Sequence, residues 1–133
     1  MTPSPLRTVD LALVAVGGAV GALARLGVES RSPDSLFPWP TLAINVVGAF
    51  MLGVLPALGA VRRSRRVALA LGPGVLGGFT TVSAWAGGVR DLADTGHVAL
   101  AGIYLAVTLG AGLGAAAIGR HVSHRPEPPG AVT

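Results

Sequence analysis

Gly77-Gly78-Phe79-Thr80-Thr81-Val82-Ser83 interrupts a membrane-length apolar run that extends from about Val67 to Val89. Hydrocarbon offers no hydrogen-bond partners, so a spanning segment must satisfy its backbone internally. Paired glycines favour an unwound turn, and three hydroxyls add polar groups. Such a break persists at membrane depth where protein or a water-filled path covers it. Two readings follow. The segment is either a site for an ion or small polar solute, or a glycine packing notch whose hydroxyls bond back to their own helix.

The surrounding composition places the break in a membrane protein. Of 133 residues, 51% are hydrophobic and 12% charged, and mean hydropathy is +0.66. A soluble domain carries about 25% charged residues. Four apolar segments approach the ~20 residues that cross a bilayer as helix: residues 9–28, 40–61, 67–89 and 97–119. The expected fold class is therefore an all-α membrane protein of four transmembrane helices, the third of them broken. Pro40 suits a first helical turn, where its missing N–H costs nothing. Trp39 stands where an interfacial anchor belongs. Residues 121–133, with Pro126, Pro128, Pro129 and Gly130, are expected to be a disordered tail. Ala22-Leu23-Ala24 resembles a small-residue cleavage site, but glycines inside the first run and the apolar sequence beyond it favour a retained span.

Arginine placement sets the orientation. Arg7, Arg62, Arg63, Arg65, Arg66, Arg120 and Arg125 fall on one side of a four-span protein, and Arg31 and Arg90 on the other. Arg25 lies near the end of the first span. The positive-inside rule places both termini in the cytoplasm of a multi-pass protein of the cell membrane. The pI near 11.4 could suggest nucleic acid. The arginines flank apolar spans without interleaved aromatics, so anionic membrane lipid is the expected partner and nucleic acid is not.

Few side chains inside the spans can do chemistry. Thr41 and Asn45 share one helix face, as do Tyr104 and Thr108. No Glu, Asp or His sits deep in a span. Proton-coupled carriers need such a relay, which argues against a small dual-topology multidrug or cation transporter. The remaining amide, hydroxyls and phenol are donors that can solvate anions, while carbonyls freed at the break can solvate cations. Asn45 could equally bridge helices, Tyr104 could simply pack, and Arg25 could snorkel to the interface. The pairs Gly17/Gly21, Gly74/Gly78 and Gly110/Gly114 predict helix-contact seams. No nucleophile–base pair, paired carboxylates or metal cluster is present, so an enzyme is not expected. The absence of cysteine excludes disulfides.

Three motifs taken together resemble the Fluc/CrcB fluoride channels. They are Gly17-Gly18-x-x-Gly21-x-x-x-Arg25, Thr41-Leu42-x-x-Asn45-x-x-Gly48, and Gly77-Gly78-Phe79-Thr80-Thr81-Val82-Ser83. Order, spacing and span number agree over nearly the whole chain. The resemblance implies an antiparallel dimer of four-helix subunits and passive fluoride export conferring fluoride resistance. It implies a structural sodium ion at the dimer centre, held by the backbone carbonyls of Gly77 and Thr80. It implies an anion pathway through Asn45, Val82, Ser83, Trp85, Tyr104 and Thr108, with Arg25 vestibular or structural. Val82 and Trp85 stand where the family has phenylalanines, Ala84 where a threonine is usual, and Gly88 where a glutamate is common. The arginine bias predicts pairing with an inverted homologue in preference to a homodimer. The altered aromatic positions keep open a non-conducting partner subunit of a heterodimeric channel.

Overall fold

The computed structural model describes residues 7–123. Among them, four helical segments are long and apolar enough to cross a membrane: Thr8–Glu29, Trp39–Ala57, Arg65–Asp94 and Val98–Ser123. The first is α1 (Thr8–Glu29). The second is α2 (Trp39–Val54), closed by a 3-10 turn at Leu55–Ala57. Pro40 occupies its first turn. The helix stops short of Val61 because Pro56 carries no amide proton to extend it and Leu58 turns extended at ψ 122°. Val61 belongs instead to the short α3 (Gly59–Arg63).

The third span is composite. It comprises α4 (Arg65–Leu69), a π-helical segment (Ala70–Leu76), α5 (Gly77–Phe79) and α6 (Val82–Asp94). Pro73 lies inside the π segment. A proline ring clashes with the carbonyl four residues back, and a wider turn accommodates it. The Gly77 amide accordingly donates to the Gly72 carbonyl, five residues back. The fourth span is α7 (Val98–Ser123). It carries His121 into helix, so the expected tail does not begin there; residues 124–133, including His124 and Arg125, lie outside the described residues.

Two close-packed pairs build the bundle: α1 with the third span, and α2 with α7. Glycine makes the first approach possible. A Cβ at Gly17 would press on the Gly74 Cα and the Val75 amide, each 3.1 Å away, and one at Gly78 would collide with the Gly18 carbonyl. The Gly17/Gly21 and Gly74/Gly78 seams are thus one seam, seen from its two sides. The Gly110/Gly114 pair behaves differently. Added Cβ atoms there meet nothing within 4 Å, so among the described residues nothing packs on that face. The α2–α7 contact uses Gly53 against Ala116 and Arg120, and Gly119 against Phe50 and Val54.

Charged groups hold one end. Arg65 Nη1 donates to Asp10 Oδ2 at 2.6 Å, and the Arg7 amide donates to the same oxygen at 3.1 Å. This joins the start of α1 to the start of the third span. Ser123 Oγ donates to the Gly53 carbonyl at 3.5 Å, bringing the ends of α7 and α2 together. The short connection through α3 links these two pairs. Arg7, Arg62, Arg63, Arg65, Arg66 and Arg120 therefore share an end of the bundle. Arg25–Glu29 and Arg90–Asp94 pairs mark the other.

Candidate functional site

The backbone leaves helical geometry at two residues. Thr80 has φ −77°, ψ 154° and Thr81 has φ −145°, ψ 114°. The paired glycines are not the extended ones. Gly77 keeps helical dihedrals (φ −64°, ψ −36°), and Gly78 lies against α1. Their smallness serves the seam, and the extended stretch falls on the next two β-branched residues, which favour extended backbone.

Asn45 holds that stretch in place. Its Nδ2 donates to the Thr81 carbonyl at 3.0 Å, and its Oδ1 accepts from the Thr81 amide at 2.8 Å. One side chain from α2 thus satisfies both polar groups of one peptide residue, as a neighbouring strand would. Gly48, one turn along α2, leaves room for the Thr80 methyl, which an added Cβ would strike. The hydroxyls of the break bond locally. Thr80 Oγ1 donates to the Leu76 carbonyl at 2.9 Å. Thr81 Oγ1 caps α6 by accepting from the Ala84 amide at 3.1 Å, and shares a hydrogen bond of 3.1 Å with Ser83 Oγ. The hydroxyls therefore serve their own chain, as the packing reading expects, while the backbone at Thr80 and Thr81 is extended.

The open backbone has a consequence for cations. In a continuous helix the Thr81 amide would bond the Gly77 carbonyl; here it bonds Asn45. Among the described residues no amide or side-chain donor reaches the carbonyls of Gly77 or Thr80. Unpaired carbonyl oxygens are the ligand type that sodium and other hard cations take, so these two positions fit such an ion.

A groove of about 550 Å³ runs along the face between α2, the third span and α7. Asn45, Gly77, Thr80, Val82, Trp85 and Thr108 all line it, so six of the expected site residues come together. Its other walls are apolar and include Leu52, Leu76, Leu109 and Leu113. These wall residues carried no polar signal by which the sequence could single them out. Tyr104 lies behind the groove wall, fully buried, its ring edge-on to Phe37 at 5.2 Å between centroids. Ser83 is exposed and faces Thr81. Arg25 is remote, on α1, paired with Glu29 at 3.5 Å. Gly88 faces Pro38 and the Tyr104 ring, each 3.1 Å from an added Cβ, which leaves no room there for a glutamate side chain to start without movement.

Buried polar groups usually find partners. Here Trp85 Nε1, Tyr104 Oη, Thr108 Oγ1 and Arg25 Nε are buried with none among the described residues. Three of the four cluster where α6 meets α7, and Trp85 packs against the core group that contains Tyr104. The arrangement has two chemical features. It holds unpartnered hydrogen-bonding groups of Trp85 and Thr108 just behind the groove surface, and it can present carbonyls to a cation at Gly77 and Thr80.

A family model described as CrcB-like protein, Camphor Resistance (CrcB), matches residues 12–120 of the chain. A protein of Novosphingobium aromaticivorans named fluoride-specific ion channel FluC is 43% identical over 110 residues, covering 77% of this chain and 86% of that one. A protein of the same name from Agrobacterium fabrum is 41% identical over 123 residues, covering 86% and 98%. Fluoride-specific ion channel FluC 2 of Streptomyces avermitilis is 41% identical over 103 residues, covering 74% and 65%. With most of its length matched at this level, the chain belongs to the CrcB family.

Proposed function

We propose that this chain is a subunit of a fluoride-specific ion channel in the cell membrane, mediating passive fluoride export and fluoride resistance. The names of its relatives support the chemistry. The observation that carries the reading is the Asn45–Thr81 clamp beside a groove flanked by Trp85 and Thr108, whose buried N–H and hydroxyl have no partner among the described residues. Donors without acidic neighbours suit an anion, and among the described residues no carboxylate lines the groove. A structural sodium ion would be held by the Gly77 and Thr80 carbonyls, neutralising acceptor charge that would otherwise repel an anion nearby. The open groove, apolar along most of its length, is the face on which a second, inverted subunit would sit. The subunit pairs with a homologue of opposite arginine bias in preference to itself.

Fluoride efflux from liposomes, followed with a fluoride electrode, tests this reading. The chain reconstituted with its homologue should release fluoride and retain chloride. Absence of fluoride release from both the single chain and the pair overturns the channel function. A second reading, a non-conducting partner subunit, is favoured by one observation: Val82, beside the break, is aliphatic and 75% exposed. It predicts efflux that survives disruption of this chain's own donors.

Orientation has a separate test. The chain lacks cysteine, so one cysteine introduced near either terminus reports its side unambiguously. Both positions should label from the cytoplasmic side in nearly every copy. An even split between the two sides would point to a dual-topology homodimer.

A further inference from the structure

We propose that the arginine-rich end of this chain binds one anionic phospholipid, with its phosphate on Arg120 and an acyl chain in a trough between α2 and α7. Pro56 ends α2, while α7 runs on to Ser123. Gly53 lets the two backbones approach so closely that an added Cβ would collide with the Ala116 carbonyl. A trough of about 340 Å³ lies along that contact. Leu52, Gly53 and Pro56 form one wall, Leu113 and Ala117 the other, and Arg120 stands at its end. From Leu113 to Arg120 it extends about 10 Å along α7. Leu52 is 55% exposed and Leu113 74%, so the rest of the described chain covers neither wall.

Charge identifies the occupant. Among the described residues Asp10 is the one acid at this end, and Arg65 and the Arg7 amide already hold it. The guanidinium groups of Arg62, Arg66 and Arg120 have no partner among those residues. Arg62 and Arg63 stand on α3, just past Pro56 in the chain, around a second hollow of about 330 Å³. At the opposite end Glu29, Asp34, Asp91 and Asp94 face Arg25, Arg31 and Arg90. A soluble anion would satisfy a guanidinium but leave the leucines bare. A zwitterionic lipid would cover the leucines but set its own cation among the arginines. An anionic phospholipid meets both demands, since a guanidinium grips phosphate through paired N–H donors and apolar walls take the acyl chain. The inference rests on the membrane-channel reading above, in which this end lies in the cytoplasmic leaflet, where anionic lipid concentrates. It names a seated molecule, beyond the diffuse attraction of basic connections to a membrane. Toward the membrane centre the trough shares Leu52 and Leu113 with the groove assigned to the second subunit, so the lipid would close the end of that seam.

The test uses the full chain in its assembled dimer, extracted in a neutral detergent and mixed with phosphatidylglycerol or phosphatidylcholine. Native mass spectrometry counts the lipid retained. The dimer should keep phosphatidylglycerol and shed phosphatidylcholine. Arg120→Gln should weaken that retention by roughly ten- to a hundredfold, the range for losing a hydrogen bond to a charged group. Ala117→Phe fills the trough without altering any charge and should weaken it as well, which diffuse attraction to arginines would not produce. Arg90→Gln removes a charge from the opposite end and should bind as the native chain does. Ala117 and Arg120 are both exposed, and monodisperse elution shows that the variants assemble. Equal retention of the two lipids overturns the proposal, as it would if the second subunit covered the trough. Unchanged phosphatidylglycerol retention in Arg120→Gln or in Ala117→Phe overturns it too. So does displacement of the lipid by inorganic phosphate at matched ionic strength, which would assign Arg120 to a soluble anion. Fluoride efflux measured on the same preparations keeps the two readings apart: a failed lipid site with intact efflux leaves the channel standing, and a retained lipid without efflux leaves the site standing.

Discussion

Gly78→Val should abolish the folded subunit. The added side chain would enter the space held by the Gly18 carbonyl of α1, and a backbone oxygen within a helix cannot swing aside as a flexible side chain can. Overpacking a core costs typically about 1–3 kcal/mol and more where backbone must move. Here the whole seam of α1 against the third span would have to open, because Gly17 and Gly21 are in similar contact with Gly74, Val75 and Phe79. The expected outcome is loss of the monodisperse peak on size exclusion after extraction. Gly110→Ala is the matched control. An added Cβ there meets nothing within 4 Å, and alanine is the better helix former, so that variant should elute as the native chain does. A Gly78→Val protein of native yield and elution would show that α1 can slide away from the third span at little cost.

Asn45→Ala should have the second largest effect, through the backbone of another helix. Removing the amide strands both the N–H and the C=O of Thr81. A buried polar group left without its partner costs about 1–3 kcal/mol. Losing both ends of the clamp therefore lowers stability by about 2–6 kcal/mol, an amount comparable with the margin of many domains. Thr81 would regain its amide bond by returning to helix, with the Gly77 carbonyl as acceptor, and that carbonyl would no longer be free for the proposed cation. Fluoride efflux should fall below detection and the thermal midpoint should drop together. Asn45→Asp separates the two ends of the clamp. It keeps an acceptor for the Thr81 amide but sets a carboxylate oxygen against the Thr81 carbonyl, so it should recover little. Were Asn45 solely an anion ligand, efflux would fall at unchanged thermal stability, and the clamp would have no energetic role.

These effects lie at different distances from what the sequence displays. The spans were legible because hydropathy is additive along the chain, and the four segments fall close to their expected places. The α1 seam was legible for a related reason: Gly17/Gly21 and Gly74/Gly78 mark helix faces by local spacing alone. Gly110/Gly114 has the same spacing and no neighbour among the described residues, since spacing identifies a flat face without saying what covers it. The Gly77-Gly78 pair was expected to unwind; it packs, and the extended backbone belongs to Thr80 and Thr81. Conformational freedom permits unwinding but does not cause it. The cause is Asn45, 36 residues away in sequence, and no local pattern encodes that pairing. The Asp10–Arg65 contact, 55 residues apart, was likewise invisible, though an acid at the start of one span and a base at the start of another were each in plain view. Asn45 and Thr108 were picked out as polar groups in apolar surroundings and Trp85 only through the family resemblance, while the leucines that shape the groove around them were indistinguishable from lipid-facing ones.

The π-helical segment at Ala70–Leu76 makes residue number itself a constrained property of this chain. A turn of this kind holds one more residue than the α-helical turns on either side. Deleting any single residue from it would let the span rewind as α-helix, and each position beyond would then rotate by about 100° around the axis. Thr81 would swing away from Asn45, Trp85 would leave the groove, and the Gly78 notch would no longer face α1, although every one of those residues would still be present. Substitutions in this stretch can be tolerated if the count is kept. A homologue whose alignment opens a gap here presents a different face to the groove, however well its motifs agree.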